Sequence, residues 1–155
     1  MNAAVAVRAG TRDDRDFVRD LGRRTAASSV SPVRAARYDD VILALERLFD
    51  FAFERDHVLL VGEDGGERLG FLLLLFDIPD EVTLVQQAFI AYTAVEPAAR
   101  RRGVARVLLE AAEALARARG LEYVSLMVTE DNAPARALYD AAGFVTERRM
   151  MTKPL

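Results

Sequence analysis

Residues 104–120, VARVLLEAAEALARARG, constrain the fold more than any other segment. Val104, Val107, Leu108, Ala111, Leu115 and Ala118 recur at the spacing of one helical face, and Gly120 is the kind of residue at which helices end. Glu113 and Arg117 add an ion pair four residues apart in the favourable order. An apolar stripe of this length must be buried against a second layer, and strand-like segments stand on both sides of it: 82–95 before and LEYVSLMV, 121–128, after. A strand, a helix and a strand in succession predict parallel pairing through a right-handed crossover.

The other elements follow from the same reading. VAVRAGTRDD, 5–14, alternates and then reaches Thr11 and acidic residues suited to a helix start, predicting a short strand and a helix over about 13–26. TAASSVSPVR is a loop, and YDDVILALERLFDFAFER carries helical spacing at Val41, Leu45, Leu48 and Ala52. HVLLVGEDGGERLGFLLLLF places two apolar strands around a turn-forming EDGG, an antiparallel hairpin. After DIPDE, residues 82–95 form a long fourth strand. Beyond 128, NAPARALYDAAG is a helix with Pro134 in its first turn and Gly143 at its end, and FVTERRMMT, 144–152, is a last strand. The predicted order is β-α-α-β-β-β-α-β-α-β: an α/β (α+β) fold with a mixed central sheet flanked by helices. With 155 residues and no repeat, low-complexity segment or linker, the chain reads as one domain, 1–155, able to bury roughly 70% of the surface its unfolded form exposes.

Composition removes several kinds of chemistry. No cysteine is present, so the protein itself supplies no disulfide, thiolate ligand or thiol nucleophile. His57 is the one histidine and opens an apolar strand, and no acidic cluster has metal-ligand spacing; no metal is expected. Scattered charges and a net charge of -3 argue against nucleic acid, which needs a broad basic face. No apolar run reaches the ~18 residues of a membrane span and no signal-peptide pattern opens the chain, so no membrane association and a cytoplasmic location are expected.

One local feature runs against that acidic balance. Between Ala98 and Gly120 six arginines face two glutamates, and Arg100, Arg101 and Arg102 stand directly before Gly103 at the helix start. Helix dipoles disfavour cations there by a few tenths of a kcal/mol each, so the cluster needs a compensating anion. The turn also exposes unpaired backbone N–H groups, while Gly103 and the small Ala105 let a bulky ligand approach. A polyphosphate fits. Neither a dinucleotide-binding G-x-G-x-x-G nor a P-loop G-x-x-x-x-G-K-[ST] is present.

VEPAARRRGVARVLLEAAEALARARG, followed by NAPARALYDAAGF, resembles the GCN5-related N-acetyltransferase family. Its [Q/R]-x-x-G-x-[G/A] motif is matched by Arg100, Gly103 and Ala105, and a second pattern by Asn132, Ala135, Leu138, Tyr139, Gly143 and Phe144. The element order agrees over nearly the whole chain; the specific part lies between about Tyr92 and Phe144. The resemblance implies acetyl-CoA as acyl donor, its pyrophosphate wrapped by the turn of Arg100, Arg101, Arg102, Gly103, Val104 and Ala105. It implies main-chain contacts from Thr93, Ala94 and Val95 to the pantetheine arm, where the fourth strand splays from the next, and a contact from Asn132 to the same arm. By the residues alone Asn132 is a helix cap and Tyr139 a core tyrosine; the resemblance puts the Tyr139 hydroxyl near the thioester sulfur as the candidate acid. A thiol at pKa ~8.5 against a tyrosine at ~10 makes full proton transfer uphill by about 2 kcal/mol, so a hydrogen bond to the departing sulfur serves equally.

The implied activity is transfer of an acetyl group to a primary amine of a small molecule or peptide by direct attack on the thioester. The alternative is a non-catalytic CoA-binding sensor or assembly module of the same fold. Family members often carry a glutamate base on the fourth strand, but VTLVQQAFIAYTAV has no carboxylate. Glu81 is ranked first as a substitute because it adjoins that strand, with Asp80, Asp77 and Glu130 behind it. The acceptor region would draw on TAASSVSPVRAARYDD and FDIPDEV: the second loop is acidic and suits a cationic amine, whereas Arg34 and Arg37 suit an anionic group on the substrate. A homodimer, common in the family, is the expectation for assembly.

Overall fold

The structure, a computed structural model, describes residues 4–155. Strand β1 (Ala6–Ala9) leads through a 3-10 turn, Arg12–Asp14, into α1 (Arg15–Thr25); a second 3-10 turn, Ala26–Ser29, and a loop lead to α2 (Tyr38–Phe53). Then come β2 (His57–Asp64), β3 (Glu67–Leu75), β4 (Ala88–Val95), a 3-10 turn at Pro97–Ala99, α3 (Val104–Ala118), β5 (Val124–Leu126) and α4 (Ala133–Ala141). The sheet order is β1-β2-β3-β4-β5, antiparallel except for the parallel pair of β4 and β5 that α3 connects. The mixed sheet, the hairpin and the parallel crossover are as the sequence predicts.

The hairpin is the centre of the molecule because both its faces are covered, which is why its strands read as nearly unbroken apolar runs. On one face Leu60, Leu72 and Leu74 pack with Val104, Leu108, Leu109, Ala112 and Ala116 of α3 and with Tyr139 of α4. On the other, Leu59, Val61, Phe71, Leu73 and Leu75 meet Val18 and Leu21 of α1 and Leu45, Phe49 and Ala52 of α2. The start of α1 is pinned to the sheet by Asp14. Its carboxylate accepts from Thr11 N at 2.8 Å in a capping box and from Arg8 of β1 at 2.8 and 2.9 Å, and Arg68 of β3 lies 3.4 Å away. Among the described residues no helix is long and apolar enough to cross a membrane.

Two predicted strands are corrected. Residues 82–87 do not extend β4: Asp80 Oδ1 accepts from Thr83 N at 2.7 Å, Thr83 Oγ1 at 2.6 Å and Val82 N at 3.3 Å, and Leu84 turns left-handed at φ 60. A side chain that captures three donors in four residues replaces the ladder with a turn, leaving Val82, Leu84 and Val85 exposed. The segment 144–152 forms no strand either. Val145, Met150 and Met151 are exposed, and the segment is anchored instead by Arg148 to Asp80 and by Thr152 to Arg34. The order of regular elements therefore ends at α4.

Candidate functional site

The site begins where β4 and β5 part. β5 pairs with Ala88, Phe89 and Ile90 only, so β4 runs on from Ala91 without a neighbour on that side. At Ala91 the pairing with β3 shifts by one residue, Leu73 opposing Tyr92 and Leu74 opposing Ile90, the signature of a bulge. Glu96 N donates to Leu69 O at 2.7 Å. Antiparallel pairs alternate, so Tyr92 and Ala94 direct their main-chain groups at β3, and Thr93 and Val95 direct theirs into the open gap. Of the three main-chain contacts expected on this strand, Thr93 and Val95 are free to make them; Ala94 is engaged in the sheet. The Thr93 hydroxyl is used internally, donating to Phe71 O at 2.9 Å.

The chain leaving β4 forms the turn expected to receive an anion. Arg101 adopts φ 64 and Gly103 φ 80, two left-handed residues around Arg102, a geometry that turns successive N–H groups to one side. From Arg101 to Arg106 no backbone N–H has an acceptor among the described residues; the α3 ladder starts with Val107 N to Gly103 O at 3.1 Å. A Cβ built on Gly103 would meet nothing within 4 Å, so the space above the turn is open to a ligand. Val104 is 1% exposed and can offer only its N–H, while Ala105 leaves the next position small. The guanidinium groups divide in two. Arg102 binds Asp64 at 2.6 Å and Arg106 binds Glu110 at 2.9 Å, whereas Arg100 and Arg101 make no ion pair among the described residues.

On the other lip of the gap, α4 carries the second pattern. Asn132 caps the helix, its Oδ1 accepting from Ala135 N at 3.3 Å, and its Nδ2 donates to Ser28 O at 3.4 Å. Thr129 Oγ1 donates to Ser29 O at 2.9 Å beside it. Tyr139 is 9% exposed, lies edge-on to Phe144 at 5.7 Å, and its hydroxyl has no partner among the described residues. Burial raises its pKa above the ordinary 10.0, so at neutral pH the group is a proton-bearing donor.

Of the carboxylates considered as bases, Asp80, Asp77 and Glu130 are held by arginines, and Glu81 is largely exposed. The Asp80 carboxyl is held well below the usual range, first by Arg148 and then by Thr83, and its work is the turn described above. Asp77 pairs with Arg55 at 3.0 Å and Glu130 with Arg136 at 3.3 Å. Glu81 is 75% exposed in its side chain and 3.8 Å from Arg148 Nε.

Sequence reasoning missed Tyr92. It stands just past the bulge, on the α1/α2 face, with its ring stacked on Phe71 at 6.0 Å and edge-on to Phe49 at 5.5 Å. Its hydroxyl is 3.3 Å from Thr25 Oγ1, a contact between residues 67 positions apart that no local pattern announces. Thr25 continues the network: its carbonyl accepts from Ser28 Oγ at 2.8 Å, and Ser28 O accepts from Asn132. A chain of polar contacts thus runs from β4 through the end of α1 to the cap of α4.

Similarity to known proteins agrees with this geometry. The family described as acetyltransferase (GNAT) matches residues 25–144. A structure from Pyrococcus furiosus assigned as an acetyl transferase is 26% identical, with 97% of this chain and 99% of that one covered, at a TM-score of 0.83. The fold is shared with a GCN5-related N-acetyltransferase from Ralstonia eutropha JMP134, 21% identical over 98% and 99% of the chains at a TM-score of 0.76. It is shared too with AAC(6')-Iy bound to the bisubstrate analogue CoA-S-monomethyl-acetylneamine, 18% identical over 99% of each chain at a TM-score of 0.69. No curated protein matches in sequence. The family match runs from the end of α1 to the residue that closes α4 and takes in the parted strands, the arginine-glycine turn and both motifs, and the chain belongs to the acetyltransferase (GNAT) family.

Proposed function

We propose that this chain is an acetyl-CoA-dependent N-acetyltransferase that transfers an acetyl group to a primary amine of a small molecule or peptide by direct attack. The observation that carries the reading is the run of unpaired N–H groups from Arg101 to Arg106, beginning six residues past a strand whose outer main-chain groups at Thr93 and Val95 are also unpaired. Oriented amides at a helix start are a seat for a diphosphate, and Arg100 and Arg101, which make no ion pair among the described residues, add long-range attraction. The strand groups are spaced to pair with the amides of a pantetheine arm lying in the gap.

In this reading the acetyl-CoA thioester lies alongside the bulge. A strand N–H there stabilises the carbonyl oxygen as the amine attacks and charge grows on it. The carbon–nitrogen bond forms, the carbon–sulfur bond breaks, and sulfur leaves as a thiolate beside Tyr139. Because burial raises the Tyr139 pKa, complete proton transfer to sulfur is even less favourable than the ~2 kcal/mol of the unperturbed groups, and the hydroxyl acts by donating a hydrogen bond. The proton that completes the thiol comes from the attacking nitrogen. Arg34 and Arg37 in the loop before α2, and the acidic loop before β4, border the acceptor side.

Calorimetry with CoA followed by measurement of CoA release from acetyl-CoA against primary amines tests the proposal. Saturable binding and amine-dependent release are expected. Binding without release to any amine would favour the non-catalytic module, and no binding at millimolar CoA would refute the seat itself.

A further inference from the structure

We infer that the Tyr92 hydroxyl, oriented by Thr25, receives the acceptor amine and holds it for attack, and that the amine reaches it already neutral. The inference rests on the acetyltransferase reading above and adds the group that binds the second substrate, which neither motif contains.

Three observations carry it. First, Tyr92 follows the bulge at Ala91, on the strand whose free edge takes the thioester, and its ring is fixed between Phe71 and Phe49. Second, its hydroxyl lies 3.3 Å from Thr25 Oγ1, which also lies 2.9 Å from Leu21 O and 3.3 Å from Gly22 O. With the one Thr25 proton on either carbonyl, Thr25 accepts and Tyr92 donates. The lone pairs of the Tyr92 oxygen have no donor among the described residues and are available to an N–H. Third, β4 has no carboxylate, and the acidic groups Asp20, Glu46, Asp50 and Glu96 around Tyr92 are each paired with an arginine. Arg24 bridges Asp20 and Glu96, Arg19 bridges Glu46 and Asp50, and Arg23 binds Glu46, while Arg15 and Asp16 of α1 and Asp39, Asp40 and Arg47 of α2 make no ion pair among the described residues and Glu46 Oε1 is buried without a hydrogen-bond partner.

The same chain of hydroxyls explains why Tyr92 binds without acting as a base. A proton accepted by Tyr92 could pass to Thr25, but Thr25 delivers its own to a peptide carbonyl, which cannot take it up or pass it on. The relay has no exit. In this inference the ammonium proton leaves to solvent before binding, R–NH3+ giving R–NH2, after which the neutral amine donates one N–H to Tyr92 and attacks with its lone pair. Of its two remaining protons, one stays on the amide product and one completes the CoA thiol.

The test uses the full chain, acetyl-CoA and a panel of primary amines: a short alanyl peptide, Nα-acetyl-lysine amide, putrescine and neamine. Loss of one hydrogen bond to substrate in Tyr92→Phe should lower kcat/KM for the amine about 3- to 10-fold, with the KM for acetyl-CoA and the Kd for CoA unchanged. Thr25→Val should show a smaller loss of the same kind, restored in Thr25→Ser. The acidic limb of kcat/KM should fall at the pKa of the amine itself, near ~8 for an α-amine and ~10.4 for a lysine side chain, and should keep its place in Tyr92→Phe. An unchanged kcat/KM in Tyr92→Phe overturns the inference, as does a limb that moves with the hydroxyl or is fixed whichever amine is used. A wild-type chain that acetylates none of the panel overturns the inference together with the reading beneath it, whereas an active wild type with an indifferent Tyr92→Phe overturns the inference alone.

Discussion

Replacing Gly103 by alanine separates the backbone cost of the turn from its role as an anion seat. At φ 80 an alanine pays the left-handed penalty of ~1 kcal/mol, which for a chain of this size corresponds to a Tm lower by about 2–4 °C. No steric clash adds to it, because the new Cβ meets nothing within 4 Å. With ligand the effect is larger. The methyl group occupies space the diphosphate needs to reach the amides, and each charge-assisted hydrogen bond lost is worth ~1.5–3 kcal/mol, so the Kd for CoA should rise about 10- to 100-fold. Gly120 provides the control at the opposite end of α3. It has φ 72 and equally open surroundings, so Gly120→Ala should show a similar Tm loss and an unaltered Kd. Thermal melts of the free proteins and calorimetry with CoA read both quantities. Equal CoA affinity in the two variants, despite equal loss of Tm, would refute the reasoning.

Tyr139→Phe should lower kcat while leaving Tm and CoA affinity close to wild type, since its hydroxyl bonds nothing within the described residues; an unaltered kcat at saturating substrates removes it from the mechanism. Burial keeps that hydroxyl protonated, so activity should show no loss from its ionisation until the pH exceeds 10.0. Arg100→Ala and Arg101→Ala should each weaken CoA binding a few-fold and flatten its salt dependence, whereas Arg102→Ala, whose guanidinium holds Asp64, should change affinity less; calorimetry at two salt concentrations distinguishes them. Asp14 is held well below its ordinary 3.8 by its hydrogen bonds to Arg8, against the cost of its burial. A depressed carboxylate contributes stability that is present above that ordinary value and lost as pH falls through the folded one, so wild-type Tm should drop as the pH is lowered past ~4. Asp14→Asn should be less stable by about 3 kcal/mol at neutral pH and its Tm should vary less over that acid range.

The parts legible in the sequence were those whose physics is local or periodic. Helix α3 and the apolar hairpin were legible, although α3 buries Leu109, Ala112 and Ala116 beside Val104 and Leu108 and leaves Ala118 of the predicted stripe exposed, and Gly103 and the arginines marked the turn because they contradict the preferences of a helix start. The misread parts depended on competition. Val82, Leu84 and Val85 have the composition of a strand, but Asp80 offers the backbone a turn with three hydrogen bonds, and the turn prevails. Residues 144–152 open with the strand-forming Phe144, Val145 and Thr146, yet β5 spans only Val124–Leu126, and Arg148 and Thr152 fasten the segment to loops instead. Asn132 was legible as a cap, while its bond to Ser28 was not. Tyr92 was invisible because a tyrosine on a strand reads as core; only the fold brings Thr25 to its hydroxyl.

The central claim is that the unpaired amides opening α3 hold the diphosphate of CoA, and an amide-resolved NMR titration with CoA tests it most directly. The account predicts saturable shifts that are largest at the N–H groups of residues 101–106, with smaller ones at Thr93 and Val95. Shifts centred elsewhere on the molecule, or none at millimolar CoA, would contradict it.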